Sequence, residues 1–429
     1  MTAAAKLAPL TPALVGGAPA VTADQTEANR WPILTAEDEA AVLAVIRGGD
    51  LSTHPVTREL ENDYRRYFGI RHALAHCNGT AALLAGFFAI DLKPGDEVIV
   101  PSATWWASVL PMLWLGAIPV FAETESRRLG LSPEDIERKI TSRTRAIVVV
   151  HLWGMPSRMS EILEIARRHG LKVIEDASHA HGARWRDRLC GTLGDIGVFS
   201  LQGHKLAPAG EGGVLLTNDD ALMERATLLG DVERIWQLDT PARRFAATSF
   251  GIKTRMSPLN AAIARVQLKH LNERNDRRNQ NLEYLSTHLE PLGFDCFWAP
   301  PHIHRVYFEF LIRADPARIP LPMSLLVDAL QAEGCAISHP RYPLVHQQPF
   351  FVEGAFASIA RLPESIAAPT YRPDALPETE AASAHLLRLP AFPNADKTLL
   401  DQYILAFQKV MAWPWNLDDE KPANTKAVP

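Results

Sequence analysis

The stretch Phe199-Ser200-Leu201-Gln202-Gly203-His204-Lys205-Leu206-Ala207-Pro208-Ala209-Gly210-Glu211-Gly212-Gly213 decides how the rest of the chain is read. A β-like run over 196–199 leads into it, and a single lysine then sits on a tight loop of small residues. An amine held there out of water has a lowered pKa and can attack a carbonyl, the chemistry of a Schiff-base lysine. The same residues also read as a surface lysine in a glycine-rich turn, so the flanking segments have to choose between the two.

Upstream of this loop, from about residue 70 to 220, short β-branched runs alternate with helical patterns, the signature of an α/β fold with helices on the faces of a sheet. Strands are predicted at 73–76, 97–100, 118–123, 146–151, 172–176, 196–200 and 214–217. Ser132-Pro133 reads as an N-cap with proline at the first helical position. Ser160 reads as the cap of 161–168, with Gly170 as its stop. The sheet is expected to be mostly parallel, and sites in such sheets lie beyond the carboxyl ends of the strands. Downstream, one long connecting helix is expected over 260–289. A strand at 306–313 and helices at 323–333 and 398–413 then make a smaller α+β domain.

The expected organisation is a mobile leader over 1–30, a large domain over 31–270, a small domain over 271–415 and a polar tail over 416–429. With 429 residues, the chain exceeds the ~250–300 at which one core stops growing. Its 47% apolar and 22% charged residues are ordinary for a globular protein, and a formal net charge of −5 gives no electrostatic reason to expect nucleic acid or an anionic membrane. Small molecules are the expected ligands. The apolar stretch 105–120 is interrupted by Pro111, Gly116 and Pro119, so no transmembrane segment is expected. Four scattered cysteines, without a CxxC pair or nearby histidines, indicate neither a metal site nor disulfides and fit a reducing cytoplasm.

Three further segments carry chemistry. Asn78-Gly79-Thr80-Ala81 follows a strand and opens a helix, so its N–H groups converge on a point where a phosphate fits; a plain N-capped helix has the same residues. Asp176 ends an apolar strand in Glu175-Asp176-Ala177-Ser178-His179. An acid emerging there needs a cationic partner, for which a protonated pyridine nitrogen serves, although a strand-end Asp can also cap its own turn. Thr104-Trp105-Trp106 reads as a helix start whose indole offers a stacking face or merely packs in the core.

In this order the segments resemble the DegT/DnrJ/EryC1/StrS family of pyridoxal-phosphate aminotransferases over about residues 31–413. The motifs are Asn78-Gly79-Thr80, Pro101-Ser102-Ala103-Thr104-Trp105, Glu175 to His179, Phe199-Ser200 with Lys205 and Gly210-Glu211-Gly212-Gly213, and Arg255-Met256-Ser257. The resemblance implies fold type I, with a mostly parallel seven-stranded sheet, and pyridoxal 5′-phosphate (PLP) as cofactor. It makes Lys205 the Schiff-base lysine and proton shuttle, Asp176 the partner of the ring nitrogen, Trp105 the stacking residue and His179 a contact near the ring hydroxyl. Gly79, Thr80 and Ser200 become phosphate contacts. Lys253 stands where relatives send an asparagine to the phosphate of the other subunit, and a homodimer with shared active sites is implied.

The implied reaction is ping-pong transamination from a glutamate- or glutamine-like amino donor to a keto-cyclitol or keto-sugar. The Trp31-Pro32 opening resembles the members acting on carbocycles. In the segment from His339 to His346, Arg341 is the candidate for the donor carboxylate, or else a structural ion pair, and His346 is a second substrate candidate. Trp153, Tyr342 and residues 231–250 are candidates for shaping the acceptor pocket. Alternatives are a 3-amino-5-hydroxybenzoate synthase-like dehydration and aromatisation, a sugar dehydratase, against which Lys205 argues, and a non-catalytic regulator of the same fold.

Overall fold

A computed structural model describes residues 11–125 and 127–415. Seven strands form one sheet in the spatial order His72–His76, Gly213–Thr217, Ile196–Ser200, Lys172–Asp176, Thr144–Val150, Glu97–Pro101, Ile118–Ala122. Only Gly213–Thr217 runs against its neighbours; the other pairings are parallel. Residues 98–100 and 146–149 are covered on both faces, which explains why they read as unbroken apolar runs. This is the α/β architecture with a mostly parallel seven-stranded sheet that the sequence predicts.

Helix starts follow the local chemistry in most places. Asn78 caps Gly79–Ala89 by accepting the Ala81 N–H at 2.8 Å, and Ser132 caps Pro133–Lys139. Ser160 does not act as a cap, because the helix begins one residue earlier, at Met159. Its hydroxyl instead accepts the Trp185 indole N–H at 3.0 Å. After Trp105 the chain makes 3₁₀ turns, Trp106–Ser108 and Leu110–Leu115, where a regular helix was expected; Pro111 and Gly116 hold the segment to short pieces. The expected long helix is two, Pro258–Lys269 and Leu271–Leu289, separated at His270.

The smaller sheet, Phe294–Asp295, Phe310–Ala314 and Leu386–Leu389, is antiparallel. It shares a core with helices Leu271–Leu289, Met323–Ala332 and Lys397–Ala412 through Leu285, Leu330 and Phe407. Packing does not stop at residue 270, since Val345, Phe351, Phe356 and Leu376 belong to the core of the large sheet. Residues 11–30 also differ from the expected mobile leader. The buried Glu333 carboxylate accepts the N–H groups of Ala13 and Ala20 at 2.7 and 2.8 Å, and Lys409 pairs with it at 2.7 Å while donating to the Ala18 carbonyl. Residues 1–10 and the expected polar tail 416–429 lie outside the described residues. Among the described residues no helix is long and apolar enough to cross a membrane.

The last strand before the lysine loop is fixed by a buried carboxylate. Glu175 accepts the N–H groups of Leu193 and Gly194 at 2.6 and 2.7 Å on one oxygen. On the other it meets Gly191 N–H at 2.8 Å and His151 Nε2 at 2.9 Å. The loop entering strand 196–200 is thereby bolted to the residue beside Asp176. Removing this acceptor strands three backbone donors and an imidazole in the interior, so Glu175→Ala is expected to cost on the order of 3–5 kcal/mol. Urea denaturation checks this; a loss under about 1 kcal/mol would contradict it.

Candidate active site

The carboxyl ends of strands 172–176 and 196–200 meet the start of helix 79–89, and between them lies a cavity of about 380 Å³. Gly79, Thr80, Trp105, Asp176, His179, Ser200, Lys205 and Arg341, eight of the residues singled out from sequence, form part of its wall. The close approach is steric in origin. A Cβ on Gly79 would come within 2.8 Å of the Ser200 Cβ, and one on Gly213 within 2.4 Å of the Asn78 carbonyl oxygen. The glycines at 79 and 213 therefore let the helix start and the sheet touch backbone to backbone.

At the helix start, Asn78 uses its side chain on Ala81 and its carbonyl on Ala82. The N–H groups of Gly79 and Thr80 precede the first intrahelical bond and stand in the cavity wall, a geometry suited to an anion. Across the cavity, Asp176 is 6% exposed. Ser108 donates its hydroxyl to Oδ2 at 2.7 Å, leaving Thr104 to donate to Ser108 at 2.9 Å, and the Ser178 N–H donates to Oδ1 at 3.1 Å. These donors orient the carboxylate and support its charge.

Lys205 lies on the loop after strand 196–200 with Nζ 4.5 Å from the Phe308 ring centroid. Burial lowers its pKa from the ordinary 10.5 to about 8, against the opposing pull of Asp176 and Glu309; Arg341 adds to the lowering. Its carbonyl accepts the Trp31 indole N–H at 3.0 Å and its N–H reaches the Gln202 carbonyl at 2.8 Å, so the backbone is held from both sides.

His179 accepts the Trp153 N–H at Nδ1, at 3.3 Å, which leaves the proton on Nε2. Burial, then the charges of Lys205 and Arg341, keep it well below the usual histidine pKa, so the ring is a neutral donor. It stacks on Phe308 with centroids 4.1 Å apart, while Trp153 stacks on Tyr342 at 4.8 Å. Trp153 adopts φ 55°, and the adjoining Gly154 at φ 89° packs where a Cβ would strike the Val306 carbonyl. Tyr342 lines the cavity, Trp153 lies behind it, and residues 231–250 contribute none of the wall. Trp105, 44% exposed, stands at the mouth with its ring 5.5 Å from Tyr342.

Three placements depart from the sequence reading or refine it. His346 is not in the cavity. It is 1% exposed, bonded to Ser102 Oγ at 2.6 Å and facing Glu380, because its short 3₁₀ turn packs inward on the large core. Lys253 is exposed and outside the cavity wall of a single chain. Arg341 does line the cavity and is also ion-paired with Glu309 at 2.7 Å, so its two readings coexist. Ser108, Ser178, Gln202 and Phe308 were not foreseen. Ser108 carried the faint signal of a second hydroxyl four residues after Thr104, but Phe308 is 103 positions from the lysine it covers and had none.

Solved structures with this fold are numerous. The chain is similar to 3-amino-5-hydroxybenzoic acid synthase at 26% identity and a TM-score of 0.77, over 92% of this chain and 99% of that one. It is similar to DesV of S. venezuelae, solved with a ketimine intermediate, at 30% identity and 0.75, over 89% and 98%. It is likewise similar to DesI, solved in the presence of its TDP-sugar product, at 29% identity and 0.75, over 94% and 96%. A family model matches residues 32–407, and the chain belongs to the DegT/DnrJ/EryC1/StrS aminotransferase family, a group of PLP-dependent enzymes.

Proposed function

We propose that this cavity holds PLP on Lys205 and that the enzyme moves an amino group from a glutamate- or glutamine-like donor to a keto-cyclitol or keto-sugar, the two substrates taking turns. One observation carries the reading: a buried amine with a pKa lowered to about 8 and a buried, donor-supported carboxylate share one cavity with a helix N-terminus. The donor set fits the cofactor. Each oxygen of Asp176 accepts one hydrogen bond and retains capacity for another, as a ring N–H requires, and the N–H groups of Gly79 and Thr80 with the Ser200 hydroxyl suit a phosphate.

PLP, when bound, supplies an aldehyde for the amine and a protonated ring that withdraws electrons from the donor α-carbon. The chain's own groups do the rest. Asp176 holds the proton on the ring nitrogen, and His179 offers its Nε2–H to an oxygen on the ring. Trp105 presents an indole face at the mouth. Lys205 Nζ, whose lowered pKa leaves an unprotonated fraction at physiological pH, would take the α-proton of the donor and deliver it to the carbon that carried the cofactor's aldehyde. Arg341 is the proposed partner of a donor carboxylate, its fork held in place by Glu309.

The phosphate end supports a homodimer. Lys205 and Arg341 are the cations in the cavity wall, and neither is at the helix start, where Glu211 adds negative charge. Lys253 of a second copy is the proposed counter-charge. The exposed rings of Trp105, Trp106, Trp114 and Trp236 suit burial between subunits. A second reading, dehydration and aromatisation of an aminocyclitol-like ring, is favoured by the likeness to 3-amino-5-hydroxybenzoic acid synthase; product analysis after turnover with a keto-cyclitol separates the two.

Three outcomes are expected. Borohydride-stable labelling of the Lys205 peptide by PLP should rise with pH through a midpoint near 8, because the amine is protonated and inert below that value, and Lys205→Ala should abolish it. A midpoint above 10, or labelling that survives the substitution, overturns the assignment. Asp176→Asn should keep cofactor binding but lose turnover by about a hundredfold or more, since the ring nitrogen loses its counter-charge; stopped-flow half-reactions measure this. Light scattering should give a dimer, and Lys253→Ala should weaken PLP binding without dissociating it; full activity in a monomer would refute the shared site.

A further inference from the structure

A second cavity of about 420 Å³ adjoins the first and shares Phe308 and Arg341 with it. Trp31, Arg278, Glu309 and Arg388 complete the part of its wall that matters here. Arg278 comes from helix 271–289, is 2% exposed and stacks on the Trp31 ring with its guanidinium carbon 3.8 Å from the centroid. Its Nε and Nη1 have no hydrogen-bond partner among the described residues. Its charged neighbour is another cation, Arg274, and burial pushes its pKa down to about 9.

Counting charge shows what is missing. Three guanidinium groups, Arg278, Arg341 and Arg388, line this cavity with one carboxylate, Glu309, whose Oε1 is taken by Arg341 and Arg388 at 2.7 and 3.1 Å. Arg278 is left with an aromatic face and no anion. A buried charge without a counter-ion is unfavourable, and a guanidinium in a cavity wall offers a carboxylate charge-assisted hydrogen bonds.

We infer that this second cavity is a carboxylate subsite and that Arg278, backed by Trp31, binds the carboxylate of the amino donor that is remote from the reacting amine. This rests on the proposed transamination and deepens it: Arg341 takes one carboxylate, Arg278 the other, and dicarboxylic donors are selected over neutral ones. The indole that backs Arg278 also holds the Lys205 carbonyl, so an occupied subsite braces the lysine loop.

The test uses full-length protein and glutarate, a five-carbon dicarboxylate that carries no amine and cannot react. Calorimetry should show glutarate binding to wild type and binding weakened on the order of tenfold to a hundredfold in Arg278→Gln, with butyrate weak and equal in both. In half-reactions, KM for glutamate should rise by a similar factor in the variant, with kcat and the KM for alanine little changed. Arg278→Lys should recover part of the loss. Equal glutarate affinity in the two proteins overturns the inference and leaves Arg278 a structural cation held by Trp31. If Arg278→Gln fails to fold, the thermal shift of wild type decides: stabilisation by glutarate well beyond that by butyrate supports the subsite, and equal shifts refute it. Loss of PLP labelling at Lys205 would instead count against the transaminase reading, a separate result.

Discussion

One carboxylate and one amine, Asp176 and Lys205, are withdrawn from water at the ends of adjacent strands, and most of the surrounding structure exists to make that tolerable. Burial works against the charge on Lys205, and Asp176 is the first of the groups that oppose it. Asp176 is in turn steadied by Ser108 and Ser178. Neither group could stay where it is if the strands shifted. Glu175, one residue before Asp176, gathers three backbone N–H groups from the loop that leads into strand 196–200, so the spacing between the two strand ends is set by a buried carboxylate with no place in the cavity wall.

The opposite wall rests on the absence of side chains. Gly79 and Gly213 bring the helix start against the sheet, and the backbone N–H groups in that wall are aimed by this contact. Thus the glycine that ends the decisive stretch, Gly213, is explained by a neighbour more than a hundred residues away, while the lysine in the same stretch lines the cavity. A single motif serves two unrelated physical needs, which is why it stands out in the chain.

What could be read from the chain divides along the same line. The sheet was legible because each strand is a local run with turn signals at its ends, and the meeting of Lys205, Asp176, Gly79 and Thr80 in one cavity wall was legible because they sit where such runs stop. Side chains supplied from afar were not. Phe308, Arg278 and Glu309 enter through long-range packing that leaves no periodicity. His346 was misread since its neighbours Arg341 and Tyr342 do reach the cavity, and one tight turn between them sends it inward. The leader was misread because its alanines and prolines carry no apolar period; backbone groups, not side chains, attach it to Glu333.

That attachment has a mechanical side. Val21 N–H bonds the Glu333 carbonyl beside the small sheet, and ten residues later Trp31 N–H bonds the carbonyl of Lys205. The intervening segment is a strap anchored at one end to the lobe that carries the small sheet and at the other to the Lys205 backbone. Any swing of that lobe must drag on the strap or break one of its anchors. Motion of the outer lobe is in this way geared to the position of a single backbone oxygen at the centre of the molecule.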